Sequence, residues 1–285
     1  MSVFFTDSDC ELWFDKVDAE KIEFFPMPYV VDGEEFFYDM GRNTDIKAFF
    51  DKMRAGASVK TCALNAEDYA ARIEPVYAAG EDIIYVSFSH KMSGTFNSLG
   101  MALDKLKEKY PERKTTVVDT KSISAAGGLI AYEAAKLHNA GASDEEVVKF
   151  VESIRDRIKC YFTVDDLIYL KRGGRISAVK AALGTLFKVK PIICTVNGAL
   201  ENVEKFKGRF RSLKALAEYV DRDGADEKYP IILVDADSPD DVAFVREHIA
   251  ANRPDAELWN QPVGPVIGAH CGPDTVGVIF VAKEK

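Results

Sequence analysis

Short apolar runs ending in small polar residues alternate with amphipathic segments through the first half of the chain, the pattern of a parallel sheet wrapped by helices. Val3-Phe4-Phe5 reads as a strand stopped at Thr6-Asp7-Ser8-Asp9. IIYVSF, from Ile83, and TTVVD, from Thr115, read as two more, each running into small residues and then a helix. YVVDGEEFFY, turning at Asp32-Gly33, predicts a hairpin that interrupts the alternation. DIKAFFDKMRAG predicts a helix stopped by Gly56, and Asn65 with Asp68 marks the start of the next. Ser143-Asp144-Glu145-Glu146 matches the Ser-x-x-Glu capping box.

From about Tyr161 the pattern changes. Short helices are expected around DDLIYLKRGGR and SAVKAALGTLF, followed by a hairpin, PIICTV-NG-ALENVEKF, whose Asn197-Gly198 is the favoured type I′ turn pair. A helix near SLKALAEYV, the strand YPIILVD, a helix near DDVAFVREHIA and a closing strand VGVIFVA complete the chain. The expected fold class is α/β: a mostly parallel N-terminal sheet flanked by helices over residues 1–158, with a hairpin insertion near 26–45. A C-terminal α+β domain with a mixed or antiparallel sheet is expected over 159–285, and with no Pro/Gly/Ser linker between the halves they should pack closely.

Charge and cysteine content narrow the function. Lys and Arg total 37 against 46 Asp and Glu, a net charge of -9, the wrong sign for a protein that gains affinity by neutralising nucleic-acid phosphates. The five cysteines are widely spaced, without a CxxC or a Cys/His pair at metal-ligand spacing, so no metal site is expected. MSVFFTDSDC shows no basic region followed by an apolar signal core, and no run approaches the roughly 20 apolar residues of a membrane span. A cytoplasmic protein without stable membrane insertion is expected.

The candidate chemistry gathers where strands meet helices. In IIYVSFSHKMSGT, Ser93, Gly94 and Thr95 follow a strand and open a helix, whose unpaired N–H groups and partial positive charge make an anion site. Ser93 reads equally well as a plain helix cap. A hydrolase nucleophile is less well supported, because the Gly-x-Ser-x-Gly elbow lacks its first glycine here. VVDTKSISAAGG repeats the logic, with Thr120, Ser122 and Ser124 ahead of the small residues Ala125–Gly128 and then a helix; Asp119 and Asp7, at strand ends, read as loop-bracing carboxylates. In LKRGGRIS, Lys171, Arg172 and Arg175 surround a Gly173-Gly174 turn that opens a helix, without Walker spacing. His270 falls in the Gly/Pro-rich loop of VGPVIGAHCGP, and on spacing alone it reads as structural.

Taken in order, TDSD, the acidic hairpin, VKT at Val59–Thr61, SHKMSGTFNS, VVDTKSIS, VDDLIYLKRGGRIS, KPIICTVNGAL, KFKGRFRSLKAL and GPVIGAHCGP resemble the DegV family from end to end. The resemblance implies a bacterial protein without catalysis of its own, the lipid-carrying subunit of a fatty-acid kinase. Such a subunit encloses a long-chain fatty acid and presents the carboxylate to a separate ATP-dependent kinase subunit, which makes the acyl phosphate. It places the carboxylate on Thr61 and Ser93, with Gly94 allowing close backbone approach. It links His270, and Arg209 or Arg211 of the basic segment, to positioning or phosphotransfer, and leaves Arg175 structural or partner-facing. No cofactor is implied beyond the bound fatty acid. An α/β enzyme, a serine hydrolase or a phosphotransfer subunit, is the alternative. Cys62-Ala63-Leu64-Asn65, His90, VDADSPDD and Asp274 depart from the family's usual pattern, and His90 has no evident role.

Overall fold

The computed structural model describes residues 2–175 and 189–284. Strands are numbered in chain order: β1 Val3–Asp7, β2 Glu23–Phe25, β3 Pro28–Val31, β4 Glu34–Phe37, β5 Val59–Thr61, β6 Ile83–Ser87 and β7 Thr115–Asp119 in the first part. The second part holds β8 Ile158–Thr163, β9 Val189–Val196, β10 Ala199–Lys207, β11 Ile231–Asp235, β12 Leu258–Pro262 and β13 Val276–Val281. A four-stranded sheet runs β2-β1-β6-β7 with every pairing parallel. A six-stranded mixed sheet runs β10-β9-β8-β13-β11-β12, antiparallel except between β11 and β12. The hairpin β3-β4 takes β5 as a third antiparallel strand and forms a small sheet of its own.

Each element follows from its local sequence. All five side chains of β6 are buried, which is why IIYVS shows no alternation: both faces of a central parallel strand are covered. The helix Ile46–Arg54 is capped by the Asp45 carboxylate on Ala48 N–H, and Gly56 follows it at φ +93°. Asn65/Asp68 and Ser143/Glu146 both form reciprocal capping boxes, starting the helices Ala66–Ala78 and Asp144–Arg155. Asn197 and Gly198 both have positive φ, as a type I′ turn requires, and join β9 to β10. An apolar cluster containing Phe5, Ile84 and Leu129 continues to Phe162, Val234 and Ile279, so the two larger sheets share buried packing.

Some expectations change. Ala125–Gly128 lie inside the helix Ser124–Asn139, not ahead of it. His270 belongs to a helix, Pro265–Cys271, instead of a loop; Pro265 suits its first turn and Gly272, at φ +80°, ends it. Seven residues bounded by Gly and Pro carry too little periodicity to be read as a helix. Gly173-Gly174 follow the short helix Ile168–Arg172, and the helix they were expected to open falls outside the described residues. The helix expected over SAVKAALGTLF lies outside the described residues.

Close approach explains one glycine. A Cβ on Gly128 would stand 2.4 Å from the carbonyl oxygen of Cys10, so the helix lies directly on the 3-10 turn Ser8–Cys10. Gly128→Ala is expected to destabilise the protein by about 1–3 kcal/mol through overpacking, read as a lower urea midpoint. Gly100→Ala, in the helix Thr95–Lys109 with open space around the added carbon, is the control and should be neutral or slightly stabilising.

Candidate functional site

The carboxyl ends of β1 and β6 build the floor of the site. Asp7 is fully buried and accepts hydrogen bonds from Tyr85 Oη at 2.8 Å, Phe88 N at 2.9 Å and Ser87 Oγ at 3.3 Å, bracing the turn after β6. Burial pushes its pKa up against those bonds. Ser89 Oγ donates to the Gly198 carbonyl at 2.8 Å, which ties the tip of the β9-β10 hairpin to the same turn. The helix Thr95–Lys109 then starts with Gly94 as N-cap, which has no side chain to cap with, and Ser93 stands one residue before it. Ser93 Oγ lies 2.7 Å from Thr95 Oγ1 and accepts from Thr95 N at 3.3 Å.

Two distant segments meet beside this turn. Thr61, at the end of β5, places Oγ1 2.9 Å from His270 Nε2. His270 Nδ1 is buried without a partner among the described residues, and the ring packs so closely on Gly173 that a Cβ there would lie 2.0 Å from Nδ1. Burial, reinforced by the Arg175 guanidinium, holds the His270 pKa down at about 4, so the ring is neutral at pH 7. Arg175 itself donates to the Gly173 carbonyl at 2.5 Å and to the Met92 carbonyl at 3.1 Å.

These groups border a cavity with about 1000 Å³ of space free of atoms, its mouth included. Its walls are mainly apolar, with Met27, Phe88, Ile123, Phe162, Leu200 and Val266 among them. Thr61, His270 and Arg175 line both this cavity and a surface groove that carries Lys60 and Arg172. Ser93, Gly94 and Arg175 likewise line both the cavity and a second groove beside Lys91. The polar residues therefore stand where the apolar space opens toward basic surface, although the net charge is -9. An elongated apolar molecule with an anionic end matches such an arrangement.

Thr61, Ser93, Gly94, His270 and Arg175 are thus brought together, and Arg209 and Arg211 are not among the lining residues. Arg209 binds the Asp241 carboxylate at 2.8 Å and the Asp274 carbonyl, and Arg211 is exposed. His90 turns away from the cavity: its Nδ1 bonds Asp119, and its ring meets Phe96 edge-on. Neither His90 nor His270 is hydrogen-bonded to Ser93, so no Ser/His pair of the hydrolase kind is formed by them. Among the described residues no group of three or more His, Cys, Asp or Glu is arranged to hold a metal ion. No described helix is long and apolar enough to cross a membrane.

Asp9 and Glu11 were not anticipated at the site. Asp9 lines the cavity. Glu11 has φ +52° and accepts from Ser124 Oγ and, at 2.5 Å, from Gly264 N, joining the β1 end to the start of the His270 helix. The spacing Asp7, Asp9, Glu11 after a strand was the available signal. Without the fold it resembles an ordinary acidic turn.

The sequence pattern of the family described as "Uncharacterised protein, DegV family" matches residues 3–283. A DegV domain-containing protein of Clostridium perfringens is 33% identical, covering 99% of this chain and 98% of its own. Among solved structures, a DegV family protein from Thermus thermophilus, described for its fatty-acid binding, has 27% identity and a TM-score of 0.83, covering 99% of both chains. DegV of Bacillus subtilis, described as a fatty acid binding protein, has 27% identity and a TM-score of 0.84, again covering 99% of both. A family match over nearly the whole length, with the fold preserved in the same extent, leads to one statement of kinship: this chain belongs to the DegV family.

Proposed function

We propose that the protein binds a long-chain fatty acid, with the acyl chain in the apolar cavity and the carboxylate at Thr61, Ser93 and the Gly94 backbone. The observation that carries this is the placement of the Thr61–His270 pair and Ser93 in the lining of a mainly apolar space, where it meets the surface grooves. Burying roughly fourteen methylenes at about 0.8 kcal/mol each contributes on the order of 10 kcal/mol before the entropy of association is subtracted. A carboxylate drawn in behind them needs donors, and the two hydroxyls with the N-terminus of the helix Thr95–Lys109 supply them. In the Nε2–H tautomer of a neutral His270, the ring donates to Thr61 Oγ1 and the threonine proton is left for the ligand. Arg175 contributes positive charge from the same rim.

The same reading assigns the phosphorylation chemistry to a separate ATP-dependent subunit. The support is the family resemblance together with the basic grooves at Lys60, Arg172 and Lys91, which suit a phosphate-bearing partner approaching the carboxylate. Arg209 and Arg211 would then act on that partner's side and not on the ligand. Organic extraction of purified protein followed by mass spectrometry is expected to release a long-chain fatty acid in near-stoichiometric amount. Protein that yields none, and after delipidation takes up no labelled fatty acid, would overturn the proposal.

A further inference from the structure

Among the described residues, Asp9 is the one acidic side chain in the lining of the mainly apolar cavity. It is 6% exposed, and its Oδ1 is buried with no hydrogen-bond partner among the described residues. Glu11 is committed through both oxygens to Ser124 and Gly264, and Asp7 through Oδ2 to Tyr85, Ser87 and Phe88; Asp7 Oδ1 is also unpartnered among the described residues, but Asp7 does not line the cavity. Asp9 therefore holds unspent hydrogen-bonding capacity in the lining of a cavity that Met27, Phe88 and Ile123 also line. Burial, then the Asp7 and Glu11 carboxyls, push its pKa well above the usual carboxylate range, against the pull of Arg175. A neutral carboxyl offers one O–H donor and an acceptor oxygen.

A saturated hydrocarbon tail lying along this wall leaves the Asp9 group unpaired in an apolar setting, which is costly. An oxygen on the tail relieves that cost. We propose that Asp9 is a specificity determinant, selecting acyl chains that carry a hydroxyl or oxo group along their length over plain saturated chains. The proposal rests on the fatty-acid reading above and adds a polar contact from a residue other than Thr61 and Ser93. It also gives a reason for an acid where an apolar residue would line the cavity better.

The test is competition binding on delipidated full-length protein, using stearic acid and its 9-, 10- and 12-hydroxy derivatives as probes. Wild type is expected to bind at least one hydroxy isomer about tenfold or more tightly than stearic acid, the size of one buried polar group left unpaired. Asp9→Leu should abolish that preference and tighten stearic acid, and Asp9→Asn, which keeps a donor and an acceptor, should retain it. If Asp9→Leu fails to fold, the wild-type isomer series and Asp9→Asn carry the test alone. Stearic acid binding with no preference for any isomer overturns the role of Asp9 and leaves the fatty-acid reading standing. No binding of any of the four acids overturns both.

Discussion

Replacing Thr61 and Ser93 together by alanine is expected to weaken fatty-acid binding by about two to four orders of magnitude. In the proposed site each hydroxyl would donate to a partly desolvated carboxylate, and a hydrogen bond to a charged group contributes about 1.5–3 kcal/mol. The two losses need not add, because Thr61→Ala also leaves His270 Nε2 without its partner at 2.9 Å. Ser93→Ala removes instead an oxygen bonded to Thr95, so it additionally loosens the first turn of the helix Thr95–Lys109. Titration of delipidated single and double variants with a labelled fatty acid checks this, with thermal unfolding as the control for folding. Unchanged affinity in both singles and in the double would remove these residues from the carboxylate site.

Much of the architecture was legible because it rests on local signals. Capping boxes at Asn65 and Ser143 and the Asn197-Gly198 turn depend on neighbouring residues alone, and they appear where the sequence places them. The unbroken apolar run of β6 announces a strand covered on both faces. Elements that depend on distant partners were hidden: β2 and β5, three residues each, have no periodicity of their own and exist because β1 and β3 pair with them. Position 274 shows the same dependence in reverse. Asp274 adopts φ +62°, the conformation that favours glycine, and its carboxylate binds Arg54 at 2.8 Å, a partner 220 residues away.

The site divides along the same line. Ser93 and Thr61 stood out through family resemblance and the strand-to-helix pattern, whereas the Thr61–His270 contact joins segments 209 residues apart. His90, an unexplained departure in sequence, turns out to hold Asp119 and not the cavity. Arg175, read as structural or partner-facing, braces the Gly173 and Met92 carbonyls and also lines the cavity, and Asp9 and Glu11 gain meaning only from burial.

Glu11 leads to the last expectation: stability should fall as the pH rises above neutrality. Burial pushes its pKa from 4.5 up to about 8, against hydrogen bonds from Ser124 and Gly264. Between those two values the folded protein keeps a proton that the unfolded chain has released, so raising the pH favours unfolding. The stabilisation is complete below the unfolded value and is lost progressively as the pH climbs through the folded one. Asp7 and Asp9 are shifted in the same direction, also chiefly by burial. His270, held at about 4 instead of 6.5, acts oppositely, costing stability as the pH falls between those values. Above about pH 6.5 the acids act without that opposition, and Glu11 alone should cost about 2 kcal/mol between about pH 6.5 and 8.5. Glu11→Gln keeps both contacts, since the amide oxygen accepts from Gly264 N and the amide nitrogen donates to Ser124 Oγ, but it cannot ionise. Urea unfolding across that range should therefore show a falling midpoint in wild type and a much flatter one in Glu11→Gln. Equal slopes in the two proteins would mean that Glu11 does not carry its proton into the folded state.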